Sequence, residues 1–356
     1  MIFIHIKILV ADDSPLTRKI LKTLIESDNR FKVIGMARDG IEAIKKTNEL
    51  NPDVILMDIK MPSMDGLTAL QYILEKNIPV IVISSLGEKH SVIAYEALEL
   101  GAFDYIPKIS DLYYLKDKLL KRLYAAYLFS ISENAKKKFF EEKSKKSYKS
   151  EENKVKTSIS NTDYFAVAIG ISTGGPRTIY DVLPKLPANL NAAIFLVQHI
   201  PSQFTKTYTE RLDANCELKV VEAEENMEIK PGYVYVGRGG YHLKLRNGLE
   251  SINIFLSKTP KHLFIPSVDV MMNSVLEIYG KKTIGILMTG MGDDGANAMV
   301  KIKEAGGYTI AESKETAVVF GMPAEAIKRK GVNKILPSYN IAEEIIKKVG
   351  LQNGNR

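Results

Sequence analysis

Ile169-Gly170-Ile171-Ser172-Thr173-Gly174-Gly175-Pro176 is the stretch that decides how this chain is read. Ahead of it, Tyr164 to Ile169 is short, apolar and free of turn residues, the composition of a buried parallel strand. Behind it, Pro176 suits the first turn of a helix, and a helical pattern continues through Tyr180 and Leu183. Ser172 is therefore expected on a sharp strand-to-helix turn. Its hydroxyl would stand beyond the carboxyl edge of a sheet, with backbone N–H groups around it. Gly170-Ile171-Ser172-Thr173-Gly174 also fits the G-x-S-x-G pattern of a nucleophile elbow, whose glycines permit the turn and the approach of a substrate. A solvated serine in a glycine-rich turn has the same pattern, so the rest of the chain has to decide.

The chain has 356 residues, which at roughly 150 per domain gives two domains. An apolar share of 45% is that of a globular protein. Cys216 is the one cysteine; it excludes an internal disulfide framework, fits a reducing compartment, and reads as an ordinary residue near a helix end. The first ten residues are too short to span a membrane, are interrupted by Lys7, and run into Asp12-Asp13 without a cleavage site. A cytoplasmic protein that is not embedded in a membrane is expected. The formal net charge of +7 points towards nucleic acid only until it is located. Nine lysines and five glutamates between Glu133 and Lys156 contribute +4 of it, in a serine-rich stretch poor in apolar residues. Such a composition reads as a solvated linker.

Residues 1 to about 127 alternate strand and helix five times, with strands at Ile6–Ala11, Lys32–Met36, Val54–Met57, Val80–Ile83 and Phe103–Ile106. Leu16, Ile20, Leu24 and Ile25 share one helical face; Leu67, Leu70, Ile73 and Leu74 share another. Five βα units imply a doubly wound parallel sheet with its site at the carboxyl ends of the strands. Asp12, Asp13, Asp58, Ser84 and Lys108 all fall there. Three ionised carboxylates brought together need a cation, and oxygen ligands suit Mg²⁺; a lysine and a hydroxyl beside them suit a phosphoryl group. Taken singly, Asp12 or Asp13 reads as a helix cap.

These residues, with Met57-Asp58-Ile59-Lys60-Met61-Pro62, Asp65-Gly66 and Pro107-Lys108, resemble the receiver domain of two-component response regulators. The resemblance implies a flavodoxin-like five-stranded sheet in which Asp58 accepts a phosphoryl group from a histidine kinase. It also implies that Asp12 and Asp13 help Asp58 hold Mg²⁺, that Ser84 and Lys108 contact the phosphoryl group, and that Tyr105 is an aromatic switch residue.

Beyond the linker, α/β alternation resumes. Ala193–Val197 is a buried strand ending in Gln198-His199-Ile200-Pro201, and Leu218–Val221 is another. Gly232–Val236 and His242–Leu245 flank Gly237-Arg238-Gly239-Gly240 and read as a β-hairpin. Thr283–Met288 leads into Thr289-Gly290-Met291-Gly292-Asp293-Asp294-Gly295, and a helical stretch with Ala298, Val300, Ile302 and Ala305 follows. A serine, a histidine and an aspartate thus each follow a strand's carboxyl end, and in a parallel sheet those ends share one edge. A serine hydroxyl becomes a nucleophile when a histidine removes its proton, and the histidine needs a carboxylate to fix its tautomer and stabilise its cation. Of His5, His90, His199, His242 and His262, His199 is best placed beside Ser172. Asp294 is preferred as the acid, with Asp293 open.

Three other readings compete. Gly290-Met291-Gly292-Asp293-Asp294-Gly295, with Glu312 beyond the next strand, is also a dinucleotide fingerprint and would make this a receiver-controlled oxidoreductase. Its two carboxylates would face a pyrophosphate, which is unfavourable. An α/β-hydrolase has the order serine, acid, histidine, which is not the order here. A DNA-binding response regulator needs a helix-turn-helix that the α/β pattern after residue 160 does not offer.

Ser172-Thr173-Gly174-Gly175, Gln198-His199-Ile200-Pro201, Pro266-Ser267-Val268-Asp269-Val270, Thr289–Gly295 and Phe320-Gly321-Met322-Pro323 resemble the catalytic domain of the chemotaxis protein-glutamate methylesterases. This implies Ser172 as nucleophile, His199 as base and acid, and Asp294 as orienting acid. It also implies glutamate methyl esters, or glutamines, on chemoreceptor helices as substrates, and a chemotaxis histidine kinase as phosphodonor. The oxyanion would lie against backbone N–H groups at Thr173 or in the Gly290–Gly292 loop. No nucleic acid and no catalytic cofactor are expected, and the chain is expected to be a monomer. Gly237-Arg238 stands where the family often has Ala-Pro, and Ile265 where it has an arginine, both towards the substrate side. The expected layout is a receiver over 1–127, a linker over 128–162 and a catalytic domain over 163–350.

Overall fold

The computed structural model describes residues 5–85, 88–108, 116–131, 164–248 and 251–351, with backbone alone at 85 and 88–92. The chain divides into two compact units, Met1–Ser144 and Lys145–Arg356. The lysine-rich stretch and most of the expected linker lie outside the described residues.

In the first unit β1 (Ile6–Ala11), β2 (Phe31–Ala37), β3 (Val54–Asp58), β4 (Val80–Ser85) and β5 (Asp104–Lys108) alternate with α1 (Pro15–Glu26), α2 (Gly40–Leu50), α3 (Gly66–Leu74), α4 (Glu88–Leu100) and α5 (Lys116–Ser130). The strands form one parallel sheet in the order β2-β1-β3-β4-β5. The order reverses between β1 and β3, so a crevice opens at their carboxyl ends, where Asp12, Asp13 and Asp58 emerge. Ser14, Asp39 and Asp65 cap α1, α2 and α3 by accepting from Thr17, Glu42 and Thr68 N–H groups. Ser14 does the capping, which leaves Asp12 and Asp13 for another task. Leu16 is an exception to the expected face: it is 67% exposed, and α1 buries Leu21 with Leu24 and Ile25 instead. On α3 the expected Leu70, Ile73 and Leu74 are buried.

The second unit holds β6 (Phe165–Ile171), α6 (Gly175–Thr178), β7 (Ala192–Gln198), α7 (Thr205–Asp213), β8 (Lys219–Glu222), β9 (Tyr233–Val236), β10 (His242–Asn247), β11 (Ile252–Ser257), α8 (Val268–Tyr279), β12 (Thr283–Leu287), α9 (Ala296–Glu304), β13 (Tyr308–Glu312), α10 (Met322–Lys328), β14 (Lys334–Leu336) and α11 (Ser338–Val349). Seven strands make a parallel sheet ordered β14-β13-β12-β6-β7-β9-β8. The chain starts at central β6, builds outwards through β7 to β9 and β8, then returns to lay β12 on the other side of β6. That places the reversal of strand order at β6, between β7 and β12.

Two local expectations are corrected. The helix after Ser172 is only four residues long and passes into 3₁₀ turns at Ile179–Asp181 and Leu183–Lys185, because Pro184 cannot continue an α-helix. The hairpin exists, but with other strands. β9 joins the large sheet in parallel, and β10 pairs antiparallel with β11 as a separate two-stranded sheet. Ser274 on α8 accepts from the Leu245 N–H and so ties this hairpin to the helix beneath it.

Candidate active site

Ser172, His199 and Asp294 follow β6, β7 and β12, three adjacent parallel strands. Ile171 pairs with Gln198 in register, and the His199 N–H donates to the Ile171 carbonyl at 3.0 Å, so His199 stands directly beside Ser172. On the other side, the Ser172 N–H donates to the Thr289 carbonyl at 2.9 Å. The Gln198 amide and the Gly175 N–H both donate to the Ser172 carbonyl, which closes the turn. Two glycines make the geometry possible. Gly174 has φ +80°, a left-handed conformation that a side chain rarely adopts. At Gly290 a Cβ would lie 2.7 Å from the Ser172 Cβ and 2.3 Å from the Met322 sulfur.

The acid is held from four directions. Asp294 Oδ1 accepts from the Ser267 hydroxyl at 2.8 Å and the Asp269 N–H at 3.0 Å. Oδ2 accepts from the Val268 N–H at 2.8 Å and meets His199 Nε2 at 2.9 Å. Burial alone would raise this carboxyl. The His199 bond and charge, with the Asp269 and Val268 N–H groups, outweigh burial and hold it down at about 2. An ionised carboxylate can only accept, so Nε2 carries a proton, and in the neutral imidazole Nδ1 is then the nitrogen with the lone pair. Nδ1 is buried and has no hydrogen-bond partner among the described residues. Asp293, by contrast, turns outwards and pairs with Arg329 at 2.6 Å.

Residues that the sequence reading left unassigned complete the surroundings. Asp269 accepts from the Ala298 N–H at 2.7 Å near the start of α9. His242 donates through Nε2 to the Pro260 carbonyl at 2.9 Å and accepts at Nδ1 from the Ser267 N–H at 3.1 Å, which anchors the segment ahead of α8. His262 Nε2 lies 3.9 Å from Asp294 Oδ1. Phe264 stacks on the His199 ring, with centroids 4.2 Å apart and planes 11° apart. No motif marks Phe264; only its place just ahead of Pro266-Ser267 hinted at it. Glu312, the would-be ribose reader, is fully buried and accepts from the Thr289 N–H and the Thr316 hydroxyl, so it faces inwards. Burial pushes the Cys216 thiol up to about 12, out of the range of a neutral-pH nucleophile.

In the first unit, Lys108 reaches Asp12 at 2.6 Å and Asp58 at 2.5 Å. Ligand oxygens of Asp12, Asp13 and Asp58 lie within 4.8 Å of one another. Burial raises the Asp58 carboxyl, and Lys108 offsets that only in part. Burial would lower the Lys108 ammonium, but Asp58 and Asp12 more than compensate and hold it above its usual range. The Ser84 hydroxyl is buried and has no partner among the described residues, so it can accept or donate on the same edge. Tyr105 is buried, its hydroxyl directed to the Ser84 carbonyl at 3.2 Å. Among the described residues no helix is long and apolar enough to cross a membrane.

Residues 167–345 match the CheB methylesterase family, and residues 8–120 match the response regulator receiver domain. A Syntrophomonas wolfei protein named protein-glutamate methylesterase/protein-glutamine glutaminase 3 is 46% identical over 353 residues, covering 97% of this chain and 99% of the relative. A Pyrococcus abyssi protein-glutamate methylesterase/protein-glutamine glutaminase is 41% identical, covering 98% of this chain and 95% of the relative. The crystal structure of the Thermotoga maritima CheB methylesterase catalytic domain superposes with a TM-score of 0.51 at 45% identity, over 52% of this chain and 99% of that one. With the receiver pattern in front and the elbow serine behind, this chain belongs to the CheB methylesterase family in its form with an N-terminal receiver domain.

Proposed function

We propose that this chain is a phosphorylation-regulated serine hydrolase that demethylates glutamate methyl esters, and deamidates glutamines, on chemoreceptor helices during chemotactic adaptation. The observation that carries the reading is the state of His199: Nε2 is held on an ionised Asp294, Nδ1 has no partner among the described residues, and the backbone N–H is bonded to Ile171, the residue just ahead of Ser172. In the reaction, Nδ1 takes the proton of the Ser172 hydroxyl as its oxygen attacks the γ-carbonyl. Asp294 stabilises the imidazolium. The imidazolium returns the proton to the departing methanol, or ammonia, and leaves an acyl-serine. Water, deprotonated by the same nitrogen, then releases the glutamate and restores the serine. The Gly290 N–H already donates to the Val319 carbonyl and the Ser172 N–H to that of Thr289, so Gly290 drops out as an oxyanion donor. Met291 and Gly292 remain in that loop.

The receiver site fits Mg²⁺ by its donor set: three carboxylates, all hard oxygen ligands, converging within bonding reach of one cation. Asp12, Asp13 and Asp58 would hold it, and bound Mg²⁺ supplies charge neutralisation for a phosphoryl group. Asp58 accepts that group from a chemotaxis histidine kinase, and Lys108 and the unpartnered Ser84 hydroxyl bind its oxygens. The receiver spans 1–127, a linker 128–162 and the catalytic domain 163–350. The protein acts as a cytoplasmic monomer without nucleic acid. Methanol release from methylated receptor membranes tests the reading: wild type releases it, and Ser172→Ala falls to background. Undiminished release by Ser172→Ala defeats it.

A further inference from the structure

The imidazole of His199 has two edges and two faces, and the reaction just proposed uses only the edges. Nε2 meets Asp294 and Nδ1 is bare. One face is covered by Phe264, at 4.2 Å between centroids and nearly parallel. Phe264 comes from an irregular segment whose path is fixed at several points. His242 bonds the Pro260 carbonyl and the Ser267 N–H, the Gly240 N–H bonds the Ile265 carbonyl, and the Phe264 N–H donates to His262 Nδ1 at 3.3 Å. Leu263 next to it points into solvent, 85% exposed, while Phe264 is half-buried. The segment therefore turns an aromatic ring inwards onto the base and an aliphatic side chain outwards.

The energetics of such a stack depend on the charge of the imidazole. Two neutral rings face to face gain little, because their quadrupoles repel in that arrangement. A cation over the same aromatic face is attracted, more strongly when water is excluded, and the His199 side chain is only 4% exposed. Phe264 thus interacts better with the charged form than with the neutral one. During the reaction the charged form arises when the base takes the serine proton. An interaction that strengthens at that moment lowers the barrier, whereas one of constant strength would not.

We propose that Phe264 is a positioning residue whose ring stabilises the His199 imidazolium in the transition state and fixes the plane of the imidazole. The proposal rests on the triad reading and adds a contact that the triad does not contain. Among the described residues, the charged and titratable groups linked to the base and its acid are Asp294 at 2.9 Å, Asp269 through its N–H to Asp294, His262 at 3.9 Å from Asp294, and His242, whose ring is 6.4 Å from that of His262. None of them is the group stacked on the ring face. The His242 ring is held neutral: burial disfavours its charged form, and Nδ1 is already occupied as an acceptor.

Two measurements on the full-length protein test it. In steady-state demethylation, Phe264→Leu lowers kcat by roughly two- to thirtyfold with KM within about twofold, and the acid limb of the pH–kcat profile moves to lower pH. Phe264→Tyr restores both, because it keeps the aromatic face. In parallel, histidine protonation is followed by NMR in the Ser172→Ala background, where turnover plays no part. There Phe264→Leu moves the His199 titration to lower pH and Phe264→Tyr returns it. An unchanged His242 resonance shows that the variant is folded, and Phe264→Met stands in if Leu perturbs it. An unmoved His199 titration in the aliphatic variant overturns the proposal, even if kcat falls, since the ring is then mere packing. So does a Tyr variant that behaves like Leu. Failure of the triad reading would look different, as activity surviving in Ser172→Ala itself.

Discussion

Asp294 and Asp293 are chemically identical neighbours in sequence, yet it is Asp294 that bonds the His199 imidazole. Asp294 accepts from Ser267, Asp269, Val268 and His199, while Asp293 pairs with Arg329 at the surface. Asp294→Asn keeps the shape but loses the carboxylate that fixes the tautomer, and kcat is expected to fall on the order of 10⁴. Asp293→Asn is expected to leave methanol release within about twofold, because exposed ion pairs contribute little. The same carboxyl sets a pH dependence of stability. Its folded value of about 2 lies below the ordinary value of 3.8, so its contribution is complete above the ordinary value and disappears as pH falls towards 2. The size is about 2 kcal/mol at ~1.4 kcal/mol per unit. Chemical unfolding of wild type and Asp294→Asn should therefore show a stability gap at pH 5 that narrows by pH 2.5; a gap independent of pH contradicts this origin.

At the scale of elements, the site is made by strand ends and by the packing of loops against them. β6, β7 and β12 deliver the three side chains, and the Thr289–Gly295 loop passes so close to the elbow that only glycine fits at 290. Gly290→Ala is expected to cost roughly 1–3 kcal/mol in stability and to displace Ser172, with most activity lost; an alanine variant of normal activity would show that the loop can retreat. The strand ends were legible in the sequence because buried parallel strands are continuous apolar runs; Ser172 and His199 directly follow two of them, and Asp294 lies in the loop after a third. What escaped was of three kinds. Tyr233–Val236 and His242–Leu245 are both strand-like around a glycine-rich turn, but pairing is settled by partners distant in sequence: β9 finds β7 and β8, and β10 finds β11. Phe264 and the anchoring role of His242 lie in or against irregular chain without periodicity, and only tertiary contacts reveal them. Leu16 fitted a helical face by spacing alone, yet it sits at the open end of α1, where the core does not reach.

The whole molecule joins two doubly wound units, each with its site at a reversal of strand order. One site gathers carboxylates and a lysine; the other gathers a serine, an imidazole and a carboxylate. A small phosphodonor with Mg²⁺ is expected to raise the demethylation rate of the full chain, and Asp58→Asn to abolish that response while retaining basal activity. Equal rates with and without phosphodonor would separate the receiver from the hydrolase. The central claim is that Ser172 and His199 act as one unit, and comparison of single and double variants tests it most directly. Methanol release from methylated receptor membranes should drop to the same low rate in Ser172→Ala, in His199→Ala and in the protein carrying both. Two separate, multiplying losses, or a single variant that still turns over like the wild type, would contradict the account.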